Sequence, residues 1–211
     1  MTRLLCLGDS ITDCGRLFDH PPLGNGYVQM LSQKLSESGR NWEIYNLGTD
    51  GFTISRILDL APAFYLPLKP DMITLLAGIN DIGLMMNTNR TPAQQETMMG
   101  NSLSRYRELL RILSGAQCPV ILMEPFIFPW PQEYGNWIPF VKIFSQDIKT
   151  LSEEFHFPYI RLHDTLNTAA SSRGMETITT DGIHLTSDGH KLLSELLFRE
   201  ISVFSDVPER V

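Results

Sequence analysis

The chain has 211 residues, 43% of them apolar, and a formal net charge of −7. That length points to one domain, large enough to bury a core without disulfides or metals. The acidic balance, with no run of Lys or Arg, excludes the clustered cations that a nucleic-acid partner requires.

In chain order, short apolar runs alternate with amphipathic segments. Strands are expected at residues 3–7, 43–47, 72–76, 120–123 and 159–161, each bounded by Gly, Pro, Asp or Asn. Runs of this kind suit parallel strands buried on both faces. A helix is expected at residues 27–38, after the turn around Gly24 and Gly26. Another starts at Thr91, which can form a capping box with Gln94 around Pro92 at the first helical position. That helix carries Leu103, Tyr106, Leu110 and Leu113 on one stripe and stops at Gly115. Helices at residues 140–155 and 187–204 complete the set, the last with Leu192, Leu193, Leu196, Leu197 and Ile201 facing inward. Strand and helix in alternation predict an α/β fold with a central parallel sheet covered on both sides. The Pro- and aromatic-rich stretch 125–139 reads as the one long irregular loop, and loops of that length are often part of a binding site.

The apolar stretch 4–7 is too short for the hydrophobic region of a signal peptide and runs into the segment around Ser10. No apolar run approaches the ~20 residues of a membrane span. A cytoplasmic protein with no membrane partner is the expectation. The three cysteines, Cys6, Cys14 and Cys118, form no CxxC pair and read as buried thiols of a reducing compartment. Only Cys14 invites a reactive-thiol reading, because it lies near Ser10.

Open parallel sheets bind ligands beyond the carboxyl ends of their strands. Small and polar residues fall at those places: Gly8-Asp9-Ser10, Gly48-Thr49-Asp50-Gly51 and Gly78-Ile79-Asn80-Asp81. Ser10 at a strand-to-helix turn is a candidate nucleophile or a plain helix cap. Gly48 allows close backbone approach or merely a turn. Asn80 offers an amide donor to a developing oxyanion, or closes an Asx-turn. Asp181 and His184 are spaced so that the carboxylate reaches Nδ1 and leaves Nε2 to accept a proton. An Asp–His metal pair is the rival there, disfavoured because no further His or Cys sits at ligand spacing. Each signal alone is ambiguous. Together they supply nucleophile, base, orienter of the base and oxyanion donors, the set that acyl transfer needs.

These four segments resemble the four blocks of the SGNH (GDSL-type) hydrolase family, in the same order and over almost the whole chain. The resemblance implies a flavodoxin-like three-layer α/β/α fold. It implies Ser10 as nucleophile, Asp181 and His184 as the rest of a triad, and an oxyanion hole of Ser10, Gly48 and Asn80. It implies no metal and no organic cofactor. The segments Ser10 to Arg16, Leu23-Gly24-x-Gly26-Tyr27-Val28 and Ile121-Leu122-Met123-x-Pro125-Phe126 are similar to the intracellular xylan acetylesterase branch. His184 is followed by Leu185, where the family commonly has Pro.

The reading that follows is a serine esterase acting on short acyl esters, O-acetyl groups of small sugars or oligosaccharides foremost. A lysophospholipase or thioesterase acting on longer chains is the alternative. A non-catalytic carbohydrate-binding module is disfavoured by the intact blocks. Trp130 and Trp137 are candidates for stacking on a sugar ring, at least one as a pocket wall. Asp9 joins them as a substrate-side candidate, although Asp9 and Asp13 also suit ordering of the Ser10 turn. Met85, Met86, Met98 and Met99 read as packing. His190 is expected to face solvent or cap its helix, and His20, His156 and His163 have no evident partners. A homo-oligomer is compatible with the sequence.

Overall fold

The computed structural model describes residues 1–19, 22–39 and 41–205. His20 lies outside the described residues. Five strands, β1 (Thr2–Gly8), β2 (Trp42–Gly48), β3 (Met72–Leu76), β4 (Val120–Met123) and β5 (Tyr159–Ile160), form one parallel sheet in the order β2-β1-β3-β4-β5. The helices are α1 (Ser10–Asp13), α2 (Arg16–Asp19), α3 (Tyr27–Glu37), α4 (Ile54–Leu60), α5 (Ile79–Met86), α6 (Pro92–Ser114), α7 (Ile138–Phe155), α8 (His163–Arg173), α9 (Met175–Ile178) and α10 (Ser187–Ser205). Order and parallel pairing are those of a flavodoxin-like sheet.

Alternation along the strands divides the core into two layers. Leu5 and Leu7 of β1, Ile73 and Leu75 of β3 and Val120 and Leu122 of β4 point toward α4, α6 and α7. Leu4, Cys6, Met72, Leu76, Ile121 and Met123 point toward α3, α8 and α10. A strand buried on both faces cannot show polar alternation, which is why these segments read as unbroken apolar runs. Each buried Leu or Ile contributes roughly 1.5–3 kcal/mol, so the paired layers dominate stability.

The expected strands are all present, β5 being one residue shorter than anticipated. The Thr91 capping box forms, with the Thr91 side chain accepting from the Gln94 N–H. Gly115 ends α6 in a right-handed conformation. Stretch 125–139 is not wholly irregular: Gln132–Asn136 forms a 3-10 turn, and α7 starts at Ile138, two residues before its expected onset. Helices α4, α5 and α8 lie outside the expected set; the inward face of α8 is made of His163, Leu166, Ala169 and Ala170, whose small or polar side chains give no clear apolar stripe.

Candidate functional site

The register of the sheet brings the ends of β1, β2 and β3 side by side, with Gly8 opposite Gly48 and Leu76. The chain turns into α1 directly after Gly8. Asp9 caps this helix, its Oδ1 accepting from the Ile11 N–H at 3.1 Å. Ser10 is the first helical residue, so its own N–H is among the donors a helix leaves without an intrahelical acceptor. Glycine is needed at position 8 because a Cβ would collide with Thr12 and the Leu76 carbonyl, and at position 48 because it would collide with the backbone of Thr12 and Asp13. The close approach of β2 to α1 therefore explains Gly48 by packing.

Asp181 and His184 lie on the loop before α10. Asp181 divides its carboxylate between two tasks. Oδ1 accepts from the Ile183 and His184 N–H groups at 2.9 and 2.7 Å, closing the turn. Oδ2 accepts from His184 Nδ1 at 2.7 Å. A carboxylate only accepts, so Nδ1 carries the ring proton and Nε2 is left as an acceptor. Ser10 Oγ stands 2.9 Å from Nε2, the two residues being 174 positions apart in the chain. Burial pushes the Asp181 carboxyl up, but the hydrogen bonds from the His184 ring and from the His184 and Ile183 N–H groups overcome it and hold the carboxyl below its ordinary value.

The turn is anchored from two sides. Thr179 Oγ1 donates to the His184 carbonyl and accepts from the Gly182 N–H. The Phe128 N–H donates to the Gly182 carbonyl at 2.9 Å. Gly182 has φ +94°, and a Cβ there would collide with the Trp130 carbonyl. The loop after β4 thus supports the His184 turn through its backbone.

Asn80 is the second residue of α5, and its Nδ2 donates to the Phe52 carbonyl at 2.9 Å. One amide proton is engaged there, which fixes the plane of the amide; the other has no acceptor among the described residues. The Gly48 N–H donates to Asn46 Oδ1 at 3.0 Å. Asn46 is 4% exposed, and its Nδ2 donates to the Thr12 and Leu23 carbonyls at 2.7 and 2.8 Å.

One cavity is lined by both Ser10 and His184, and a second is lined by Asn80 and Ile183. The first, of about 260 Å³, is bounded by Ser10, His184, Asp50, Phe18, Cys14 and His190 among others. The second, of about 340 Å³, is bounded by Asn80, Gly83, Leu84, Tyr134, Trp137 and Ile183 among others. Trp137 is therefore a cavity wall, its ring 4.7 Å from that of Tyr134. Trp130 is 48% exposed and borders neither cavity. Asp9 is not on the substrate side: it is 1% exposed, beneath the turn. Burial raises its carboxyl to about 7, with Asp81 adding to the rise and the Ile11 N–H and His184 opposing it.

Two histidines depart from expectation. His190 is buried rather than solvent-facing: its Nδ1 accepts from the Tyr27 N–H at 3.2 Å and its Nε2 lies 3.3 Å from Cys14 Sγ. Burial, assisted by His184, lowers it to about 4. It is a neutral clamp joining α10, α3 and the end of α1. Its spacing to Leu193, Leu197 and Ile201 places it on the inner stripe of α10, a signal present in the sequence. His163 also has a partner, its Nδ1 accepting from the Ile127 N–H. Cys6 is buried, whereas Cys14 and Cys118 are partly exposed. Met85 is buried and Met86, Met98 and Met99 pack against the core. Among the described residues, no helix is long and apolar enough to cross a membrane.

Comparison with known proteins follows the same lines. The model of the GDSL-like lipase/acylhydrolase family matches residues 6–192. An acetylxylan esterase of Geobacillus stearothermophilus is 26% identical over 212 residues, covering 94% of this chain and 93% of the relative. The isoamyl acetate-hydrolyzing esterase of Saccharomyces cerevisiae is 22% identical over 219 residues, covering 96% and 87%. The crystal structure of Axe2, an acetylxylan esterase from Geobacillus stearothermophilus, has the same fold, with a TM-score of 0.83 at 23% identity over 95% of this chain and 94% of that one.

Proposed function

Because the chain belongs to the GDSL-like lipase/acylhydrolase family and is a carboxylic ester hydrolase, we propose that it cleaves short-chain acyl esters, O-acetyl esters of small carbohydrates foremost, with Ser10, His184 and Asp181 as its triad. The observation that carries this reading is the unbroken relay of 2.9 and 2.7 Å from Ser10 Oγ through His184 to Asp181. Both relatives are named for acetate esters, which supports acetyl as the acyl group.

Ser10 Oγ attacks the ester carbonyl while His184 Nε2 takes its proton. Asp181 Oδ2 stabilises the imidazolium that results. The Ser10 N–H and the second amide proton of Asn80 meet the oxyanion. Gly48 is the third expected donor, and its N–H reaches the oxyanion only by leaving or sharing the bond it gives to Asn46 Oδ1. The imidazolium then protonates the departing alcohol, and water, activated by the neutral ring, releases the acid from Ser10. These steps require no metal or organic cofactor.

A second reading, longer acyl chains as in a lysophospholipase or thioesterase, is favoured by one feature: the 340 Å³ cavity beside Asn80 has the apolar walls Leu84, Trp137 and Ile183. Fluorophosphonate labelling tests the nucleophile. The wild-type protein is labelled once, and folded Ser10→Ala is neither labelled nor active; retained turnover in that variant overturns the triad. Profiling acetyl against octanoyl esters decides the acyl group, and equal or better kcat/KM on octanoyl esters selects the second reading.

A further inference from the structure

We propose that Asp50 sorts substrates by the charge of their alcohol portion, admitting neutral or cationic leaving groups and opposing anionic ones. This rests on the roles given to Ser10 and His184 above. The leaving oxygen must lie within reach of His184, which hands it a proton. The alcohol therefore occupies the 260 Å³ cavity, whose wall includes both Ser10 and His184. The 340 Å³ cavity touches Asn80 but not His184, which leaves it to the acyl side.

Two carboxylates border the alcohol side, Asp13 and Asp50. Asp13 is 2% exposed and faces Arg16 Nε at 3.5 Å. The same guanidinium donates to the Gly48 carbonyl at 2.6 Å, so it is held in place against Asp13. Asp50 is exposed at the cavity wall; burial raises the Asp13 carboxyl, Arg16 opposes the rise, and Asp50 adds to it as a smaller contribution. The other ionisable wall residues are Cys14, His184 and His190; burial lowers His190 to about 4, so it carries no charge against Asp50 at pH 8, and His184 is the neutral base of the proposed triad. Phe18, 73% exposed, adds an aromatic surface to the same wall. Among the described residues Asp50 has no ion-pair partner, and a ring face beside such a carboxylate accepts a polyol or a cation. It repels a phosphate, sulfonate or carboxylate, an example of specificity built from a repulsive element.

The test uses three acetate esters of similar size: acetylcholine, its neutral isostere 3,3-dimethylbutyl acetate, and 2-acetoxyethanesulfonate. Their kcat/KM values are measured at pH 8 in low and in high salt, for the wild type, Asp50→Asn and Asp50→Ala. In the wild type the anionic ester is used about three- to tenfold less well than the neutral one, as expected for one partly screened charge. The anion-to-neutral ratio rises at least threefold in both variants, and 0.5 M salt brings the wild type toward them. A ratio that is the same in wild type and Asp50→Asn overturns the proposal. So does a ratio that rises in Asp50→Ala alone, because Asp50 then acts by shape or hydrogen bonding. Turnover of the neutral ester by Ser10→Ala would instead overturn the triad and leave the charge ratio as a separate result.

Discussion

Asn46 Oδ1 accepts the Gly48 N–H at 3.0 Å, while the same side chain donates to the Thr12 and Leu23 carbonyls. One buried amide thus ties the end of β2 to the helix that carries Ser10. Asn46→Ala removes these hydrogen bonds and a longer one to the Asp13 carbonyl, and leaves buried polar groups unpaired, at a cost of roughly 3 kcal/mol or more. The expected result is a clear drop in Tm together with reduced kcat, since Ser10 loses its support. Asn46→Asp faces two carbonyls with a carboxylate and is expected to be worse. Thermal unfolding beside steady-state kinetics checks both, and a normal Tm in Asn46→Ala contradicts the tie.

Asn80 distinguishes an oxyanion donor from an ordinary turn residue. With one amide proton on Phe52 and the other without an acceptor among the described residues, Asn80→Ala is expected to lower kcat on the order of 10²–10³-fold, mostly without raising KM. Asn80→Asp should be at least as damaging, because a carboxylate repels the oxyanion. A near-normal kcat in Asn80→Asp would remove Asn80 from the site.

Asp181 serves the turn with one oxygen and the imidazole with the other, and two variants separate these tasks. Asn at this position keeps an acceptor for the Ile183 and His184 N–H groups but presents N–H to Nδ1, which favours the wrong tautomer. Asp181→Asn should therefore retain most of its thermal stability while kcat falls by about 10³–10⁴. Asp181→Ala should lose both stability and turnover. Equal melting temperatures in the two variants would show that Oδ1 does not hold the turn.

Asp9 makes stability depend on pH in a definite direction. Its carboxyl is raised from 3.8 in the unfolded chain to about 7 in the folded protein, so between these values the native state binds more protons. Its contribution therefore becomes less favourable as pH rises from about 4 to about 7, by up to roughly 4 kcal/mol. Asp9→Asn cannot titrate. Its stability relative to wild type should improve across that window and level off above it. Denaturant unfolding at pH 4.5, 6 and 8 measures the difference, and a difference independent of pH contradicts the assignment.

Much of the fold was legible because its strands are short and buried on both faces, as Leu4 to Leu7 and Ile73 to Leu76 illustrate. The Thr91 box was legible because its chemistry is local. Ser10, Asp181 and His184 stood out because each follows a strand or precedes a helix in a recognisable block. What the sequence hid was partnership across the chain. Nothing near Asn46 announces that its amide reaches the Thr12 and Leu23 carbonyls. Nothing in Asp181-Gly182-Ile183-His184 announces that the Trp130 carbonyl lies where a Cβ of residue 182 would be. His190 was hidden differently: its helical phase placed it inside, and polarity alone argued wrongly for solvent.

In the proposed triad Ser10 depends on a base 174 residues away, so turnover waits on the seating of α10. His184 arrives on the loop that leads into α10, and His190 fastens the first turn of that helix to Tyr27 and Cys14. A chain that has formed its sheet but not yet seated α10 has a serine at the end of β1 with nothing to deprotonate it. On the proposed triad, such a half-assembled enzyme is chemically silent during refolding, and regained turnover reports the seating of α10 rather than the formation of the sheet.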